Sequence, residues 1–176
     1  GAMRAEGSTS TWTGRGEVAL GAGPGGAPPE AVDTLADCLT ASGLSARIVD
    51  DARRQIWIKA LLNIAINPLC ALAGVRNGEM LQTPLFDAAV GLLMEAEKVG
   101  RRHGVDLPSM DELVTTLVDV LDATAENRCS MLEDVRVGRA TEIDALNGHI
   151  VNLAEQHGLM ATQNAQVTAL IHALRR

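Results

Sequence analysis

Ile56-Trp57-Ile58-Lys59-Ala60-Leu61-Leu62-Asn63-Ile64-Ala65-Ile66-Asn67-Pro68-Leu69-Cys70-Ala71-Leu72 is the stretch that decides the fold. Apart from Lys59, Asn63 and Asn67 it is apolar or proline throughout. It reads as the body of a long helix over Ala52–Ala73, and a helix apolar all round is a buried one. The three exceptions fall at i, i+4 and i+8, which stacks them on one face a turn apart. A buried Lys and two buried Asn are costly unless satisfied, so the stripe reads as the wall of a polar cavity inside an apolar domain. Lysine offers charge and a proton; each amide offers a donor and an acceptor. Pro68 disfavours helical geometry at Asn67 and is expected to bend or break the helix there, exposing backbone groups to a ligand. The bland alternative, a solvated face, usually carries several Glu, Lys and Arg rather than one Lys and two short amides.

Downstream of this helix everything reads as helical, with clear punctuation. A second helix starts near Thr83-Pro84 and ends before Gly104. Ser109-Met110-Asp111-Glu112 is a capping box that opens a third. A short helix from about Ser130 stops at Gly138. Thr141 is placed to cap the next, which ends before Gly158, and Thr162 to cap the last. This gives about six helices after residue 50, joined by short connections. His103 and His157 each precede a helix-ending Gly, which suits a C-cap role, and the four His form no metal motif.

Upstream, residues 1–30 are rich in Gly, Ser, Thr and Pro. Gly1-Ala2-Met3 reads as a cloning scar, so the natural start is not visible. Short strands are expected near Ser10–Thr13, Glu17–Leu20 and Ala46–Val49, with a helix over Ala31–Ala41 that stops at Gly43. Gly21-Ala22-Gly23-Pro24-Gly25-Gly26 matches G-x-G-x-x-G, with Asp50 about where a ribose-binding acid sits. Too few strands follow for a multi-stranded parallel sheet, and Pro24 and Pro28-Pro29 delay the helix. A Gly-rich turn between strands is the preferred reading.

Composition bounds the function. The 176 residues are 47% hydrophobic but only 2% aromatic, so the core is built from Leu, Ile, Val, Ala and Met. The net charge of −7 repels phosphate backbones and argues against nucleic-acid binding. It also means that an anionic substrate needs a local cation. Cys38, Cys70 and Cys129 are odd in number and far apart, with neither disulfide nor metal-ligand spacing, which fits a reducing cytoplasm. No leader opens the chain and no uncharged apolar run reaches the length of a membrane span.

A second polar cluster comprises Asn127-Arg128-Cys129-Ser130-Met131, then Arg139-Ala140-Thr141-Glu142-Ile143-Asp144 and Asn147-Gly148. Glu142 and Asp144 are expected in the first turn of a helix, where favourable charge on the dipole would explain them; Ser130 alone could be a helix cap. Taken together with Trp57-Ile58-Lys59, the Asn63 to Leu69 run and Asn77-Gly78-Glu79, these segments resemble the ketopantoate reductase (2-dehydropantoate 2-reductase) family. The resemblance covers about residues 14–170, with several separated motifs in the same order.

That resemblance implies a mainly α chain. Residues 51–176 would be a multi-helix C-terminal substrate-binding domain of the 6-phosphogluconate dehydrogenase C-terminal-like type. Residues 1–50 would hold the scar and a β/α remnant of a Rossmann domain, whose true NADPH fingerprint is absent from this chain. In the family the cleft between the two domains reduces 2-dehydropantoate to (R)-pantoate, on the way to pantothenate and coenzyme A. By resemblance Lys59 matches the proton donor to the ketone oxygen. Asn63, Asn67, Asn77 and Ser130 match substrate-binding positions. Glu142 matches an acid near the cofactor and the lysine. Cys70 and Cys129 stand where Thr and Ser are more usual, and Thr162 where Pro is typical.

These residue types suit the chemistry. Hydride addition to a ketone builds negative charge on oxygen, which a cationic donor stabilises and then protonates. Amides and a hydroxyl orient a small 2-keto acid without adding net charge. The implied function is thus the substrate half of an NADPH-dependent cytoplasmic reductase, inactive alone, with no membrane or nucleic-acid partner and no metal. Two alternatives are a non-enzymatic helical module that forms a homodimer through its exposed helical domain, and a reductase for another 2-keto acid.

Overall fold

A computed structural model describes residues 2–4, 10–12, 16–22, 26, 28–82 and 84–174. The chain divides into two compact units, Gly1–Gln55 and Ile56–Arg176.

In the first unit β1 (Ala2–Arg4) pairs antiparallel with β2 (Ser10–Trp12). Then β3 (Glu17–Leu20), α1 (Pro29–Ala41) and β4 (Ser45–Ile48) form a β-α-β unit, with β3 and β4 parallel and Glu17 opposite Ser45. Parallel neighbours need a crossover, and α1 provides it. The helix starts with Pro29 in its first turn, where a missing N–H costs nothing. Val32, Ala36 and Leu39 make its half-buried stripe. The Gly-rich segment therefore links a strand to a helix and not two strands, which corrects the expectation of a turn between strands. Of that segment, Gly23, Pro24 and Gly25 lie outside the described residues. Gly21 is a packing glycine: a Cβ there would stand 2.8 Å from the Val49 carbonyl and 2.9 Å from the Ala52 Cβ.

The second unit is helical. Its helices are α2 (Ala52–Ala73), which begins just ahead of it, α3 (Leu85–Arg102), α4 (Met110–Ala123), α5 (Ser130–Arg136), α6 (Asn147–Gln156) and α7 (Thr162–Ala173). A 3-10 helix, Asn77–Leu81, joins α2 to α3. Thr83 lies outside the described residues. The core follows the apolar periodicity: Ala89, Leu92, Leu93, Ala96, Val99 and Gly100 on α3, and Leu113, Leu117 and Leu121 on α4. Each fully buried leucine contributes about 1.5–3 kcal/mol. Gly100 lets α3 approach the Trp57 ring, which a Cβ would meet at 3.0 Å.

Sequence punctuation and structure agree at several ends. Ser109 Oγ accepts from the Glu112 N–H at 3.3 Å while Glu112 Oε2 accepts from the Ser109 N–H at 2.8 Å, a complete capping box. His103 and His157 are the C-caps of α3 and α6, followed by Gly104 and Gly158 at φ of 79° and 66°. Their rings also meet, Nδ1 of His103 lying 3.2 Å from Nε2 of His157.

Three expectations fail for identifiable reasons. Pro68 does not break α2, which runs unbroken through it to Ala73. Thr141 does not cap α6, because residues 142–146 form turns and the helix begins only at Asn147, after Leu146 at φ −102° and ψ −96°. Glu142 and Asp144 accordingly precede that helix instead of occupying its first turn. Thr162 is the first residue of α7 and gives no cap. The open N–H groups there are met from α3, with Gln163 and Asn164 each donating at 3.0 Å to the Glu95 carboxylate. By length and hydropathy alone α2 could cross a membrane, but more than half of its apolar window is buried inside the protein, as in a core helix.

Candidate active site

The polar stripe on α2 is graded rather than uniformly buried. Asn67 is buried, Asn63 is half-buried and Lys59 is exposed. The expectation of a buried lysine is thereby corrected: the first buried residue of α2 is Leu61, and Lys59 lies ahead of it with its side chain exposed. None of the three side chains has a hydrogen-bond or ion-pair partner among the described residues. The fold does not use them.

Two connections bring other expected residues to this stretch of α2. The Cys129 Sγ donates to the Asn67 carbonyl at 3.6 Å and accepts from the Leu132 N–H at 3.4 Å. Cys129, not Ser130, is therefore the N-cap of α5. Ser130 follows it as the first helical residue, exposed, its hydroxyl without a partner among the described residues. The second connection is Asn147. A proline at position 68 leaves the Ile64 carbonyl without its helical N–H partner. The Asn147 Nδ2 fills that gap at 3.1 Å, and also reaches Asn164 Oδ1 at 3.0 Å. Asn164 in turn donates from Nδ2 to Glu95 Oε2 at 2.9 Å and to the Leu92 carbonyl at 3.3 Å. This buried network holds α2 against α3, α6 and α7 at the stripe. It places residue 142, five positions before Asn147, in the segment that enters the network. The Glu142 carboxylate is exposed and has no partner among the described residues.

Sequence reasoning missed Asn147 and Asn164 as network members. The signal was available for Asn147: a proline inside a buried helix demands an outside donor for the carbonyl four residues earlier.

Asn77 is placed differently. It is buried, its Nδ2 donates to Thr124 Oγ1 at 2.9 Å, its Oδ1 accepts from Cys70 Sγ at 3.8 Å, and its N–H donates to the Asn127 carbonyl at 3.0 Å. Its amide fastens the 3-10 helix to the end of α4. A surface cavity of about 480 Å³ lies beside it, lined by Arg76, Glu79, Asp122 and Glu126 among others. Arg76 is already paired with Glu126, so the remaining charge would repel an anionic substrate. No stripe residue lines it.

The cysteines, far apart in sequence, are not all apart in space. The neighbouring Cys70 holds the Cys129 thiol below its ordinary range, while Cys129 and burial push Cys70 up. All three cysteines are free, Cys38 on the surface.

No dinucleotide site forms among the described residues. A two-stranded sheet offers no crevice where strand order reverses, and Gly21 is taken up by packing.

The family model for ketopantoate reductase PanE/ApbA, C terminal, matches residues 51–175. A 2-dehydropantoate 2-reductase of Archaeoglobus fulgidus is 34% identical over 93% of this chain and 54% of its own length. Among solved structures, a probable 2-dehydropantoate 2-reductase from Bacillus subtilis superposes with a TM-score of 0.80 at 31% identity, over 99% of this chain and 58% of that one. D-mandelate dehydrogenase in a ternary structure with NADH and anilino(oxo)acetate gives 0.87 at 26% identity, over 97% of this chain and 56% of that one. The chain thus spans a little over half the length of these relatives.

Proposed function

The chain belongs to the ketopantoate reductase family, and from that premise we propose that its helical unit is the substrate-binding and proton-donating half of a reductase for 2-dehydropantoate. The observation that carries this reading is the division among the polar groups. The amides of Asn77, Asn147 and Asn164 are engaged by the fold, whereas the side chains of Lys59, Asn63, Asn67, Ser130 and Glu142 have no partner among the described residues. The polar atoms of Asn63 and Asn67 are not enclosed by the fold, so they stay open to a ligand or to water.

In this reading Lys59, at the outer end of the stripe, stands at the mouth of the site. Its ammonium stabilises charge growing on the ketone oxygen and then gives that oxygen its proton. Asn63, Asn67 and Ser130 orient the carboxylate and hydroxyl of the acid. Glu142, in the segment that leads into α6, is the acid that lies toward the cofactor in this reading. Asn77 contributes by holding the adjoining 3-10 helix. NADPH, held outside this unit in the whole enzyme, supplies the hydride. The buried free thiols of Cys70 and Cys129 support placing the enzyme in a reducing cytoplasm.

A second reading, reduction of a different 2-keto acid, is favoured by the likeness to D-mandelate dehydrogenase. Family membership fixes chemistry better than substrate.

A nuclear magnetic resonance titration of the chain with 2-dehydropantoate and with phenylglyoxylate tests the site and the choice. Shifts at the side-chain amides of Asn63 and Asn67 and at the Ser130 N–H are expected for the true substrate class. Shifts confined to other residues would reject the site. NADPH oxidation by the isolated chain is expected to be undetectable.

A further inference from the structure

The segment that carries Glu142 reaches α2 through one buried side chain. Residues 142–146 form turns, with the Ala145 and Leu146 N–H groups donating to the Glu142 carbonyl at 3.0 and 3.1 Å. Asn147 follows at once as the first residue of α6, fully buried. Its Nδ2 donates to the Ile64 carbonyl at 3.1 Å and to Asn164 Oδ1 at 3.0 Å. Ile64 stands between Asn63 and Asn67, so the bond lands within the turn of α2 that bears both stripe amides. We propose that Asn147 is a positioning residue for the reaction: it sets the register of the 142–146 segment, and with it Glu142, against the stripe on α2. The proposal rests on the reading of that stripe as a keto-acid site.

The Asn147 amide is held in one orientation. Both of its Nδ2 protons face acceptors; turned over, its Oδ1 would meet the Ile64 carbonyl and Asn164 Oδ1, oxygen against oxygen. Asn164 is itself pinned, its Nδ2 donating to Glu95 Oε2 at 2.9 Å and to the Leu92 carbonyl at 3.3 Å. A chain of directed bonds from α3 through α7 thus fixes where Asn147 sits.

The other attachments of the segment define its place less narrowly. Ile143 is fully buried, but apolar burial is non-directional. Asp144 Oδ1 meets His172 Nε2 at 2.8 Å, yet both side chains are exposed, and such pairs contribute little. A buried amide with both donors committed is directional. Misplacing a reacting group by about 1 Å can lower turnover about 100-fold, so a residue that touches no substrate can still govern the rate.

Pro68 separates this role from plain stability. It leaves the Ile64 carbonyl open, and Pro68→Ala gives α2 an N–H of its own for that acceptor. The carbonyl has a second lone pair, so Asn147 can still donate to it. In that background the helix no longer needs Asn147, but the 142–146 segment does. If Asn147 only mends the helix, Pro68→Ala cancels every effect of Asn147→Ala. If it positions Glu142, stability recovers in part and activity does not.

The test uses the gene-length protein that carries this chain, as the parent, Asn147→Ala, Pro68→Ala and the double variant, with Lys59→Ala alongside. Circular dichroism checks folding, and the comparison within the Pro68→Ala background stands even if Asn147→Ala alone unfolds. The kcat/KM for 2-dehydropantoate with NADPH is expected to fall about 10–100-fold on Asn147→Ala, and by a similar factor when that change is added to Pro68→Ala. Hydrogen exchange at the Ala145 and Leu146 amides should speed up in both Asn147 variants against their own references. Parental activity in Asn147→Ala, or a double variant that matches Pro68→Ala in activity and exchange, would overturn the proposal. Full turnover in Lys59→Ala would instead reject the function read from the stripe, and the exchange rates alone would then decide whether Asn147 holds the segment.

Discussion

The Asn147 side-chain amide stands 3.1 Å from the carbonyl of Ile64, the one acceptor that Pro68 leaves open in α2. Residues 83 positions apart thereby complete a single helix turn. Replacing Asn147 with Ala removes this bond and the one to Asn164, and leaves two buried acceptors unmet. Urea denaturation should show a loss of about 2–3 kcal/mol. A change below about 0.5 kcal/mol would mean that the pairing contributes nothing.

The same relationship makes a stronger statement as a double mutant. Pro68→Ala restores an N–H to the helix, which can bond the Ile64 carbonyl without outside help. Asn147→Ala should therefore cost about 1 kcal/mol less in the Pro68→Ala background than alone. Strict additivity would show that Asn147 acts through something other than the proline gap.

Asn77 and Asn63 should separate in kind. The Asn77 side chain is tied to Thr124 and Cys70, so Asn77→Ala should cost about 1–2 kcal/mol of stability. The Asn63 side chain has no partner among the described residues, so Asn63→Ala should stay within about 0.5 kcal/mol while weakening keto-acid binding. Thermal denaturation and ligand titration of both variants check this. The opposite ranking would mean that the fold uses Asn63 after all.

Glu95 caps a helix that is not its own. Its two oxygens accept from the Gln163 and Asn164 N–H groups at the start of α7, and the negative charge also suits that end of the dipole. Glu95→Ala should cost about 1–2 kcal/mol and should raise amide exchange in the first turn of α7 ahead of the rest of the helix. Uniform exchange along α7 would argue against a capping role.

Much of this was legible in the sequence. The bounds of α2, the capping box at Ser109 and Glu112, and the Gly stops after His103 and His157 all follow from local rules, because each depends on residues within a turn of one another. What failed was tertiary. Pro68 was expected to bend or break α2, but the helix runs unbroken and a distant amide fills the gap. Thr162 was expected to cap α7, but a carboxylate from α3 does so. The bond from the Cys129 sulfur to the Asn67 carbonyl was not legible either, because spacing along the chain says nothing about which loops fold back onto which turn. For the stripe, period marked which residues share a face, yet not how deep each one lies. Burial of Lys59 depends on how far neighbouring helices extend along α2.

The most direct test of the proposed site uses the gene-length protein that carries this chain. Consumption of NADPH with 2-dehydropantoate is followed for the parent and for Lys59→Ala. The expected result is a fall in kcat of about 10²–10⁴ with a much smaller change in KM, as removal of a proton donor requires. An unchanged kcat would contradict the assignment of Lys59, and with it the reading of the α2 stripe as a reductase site.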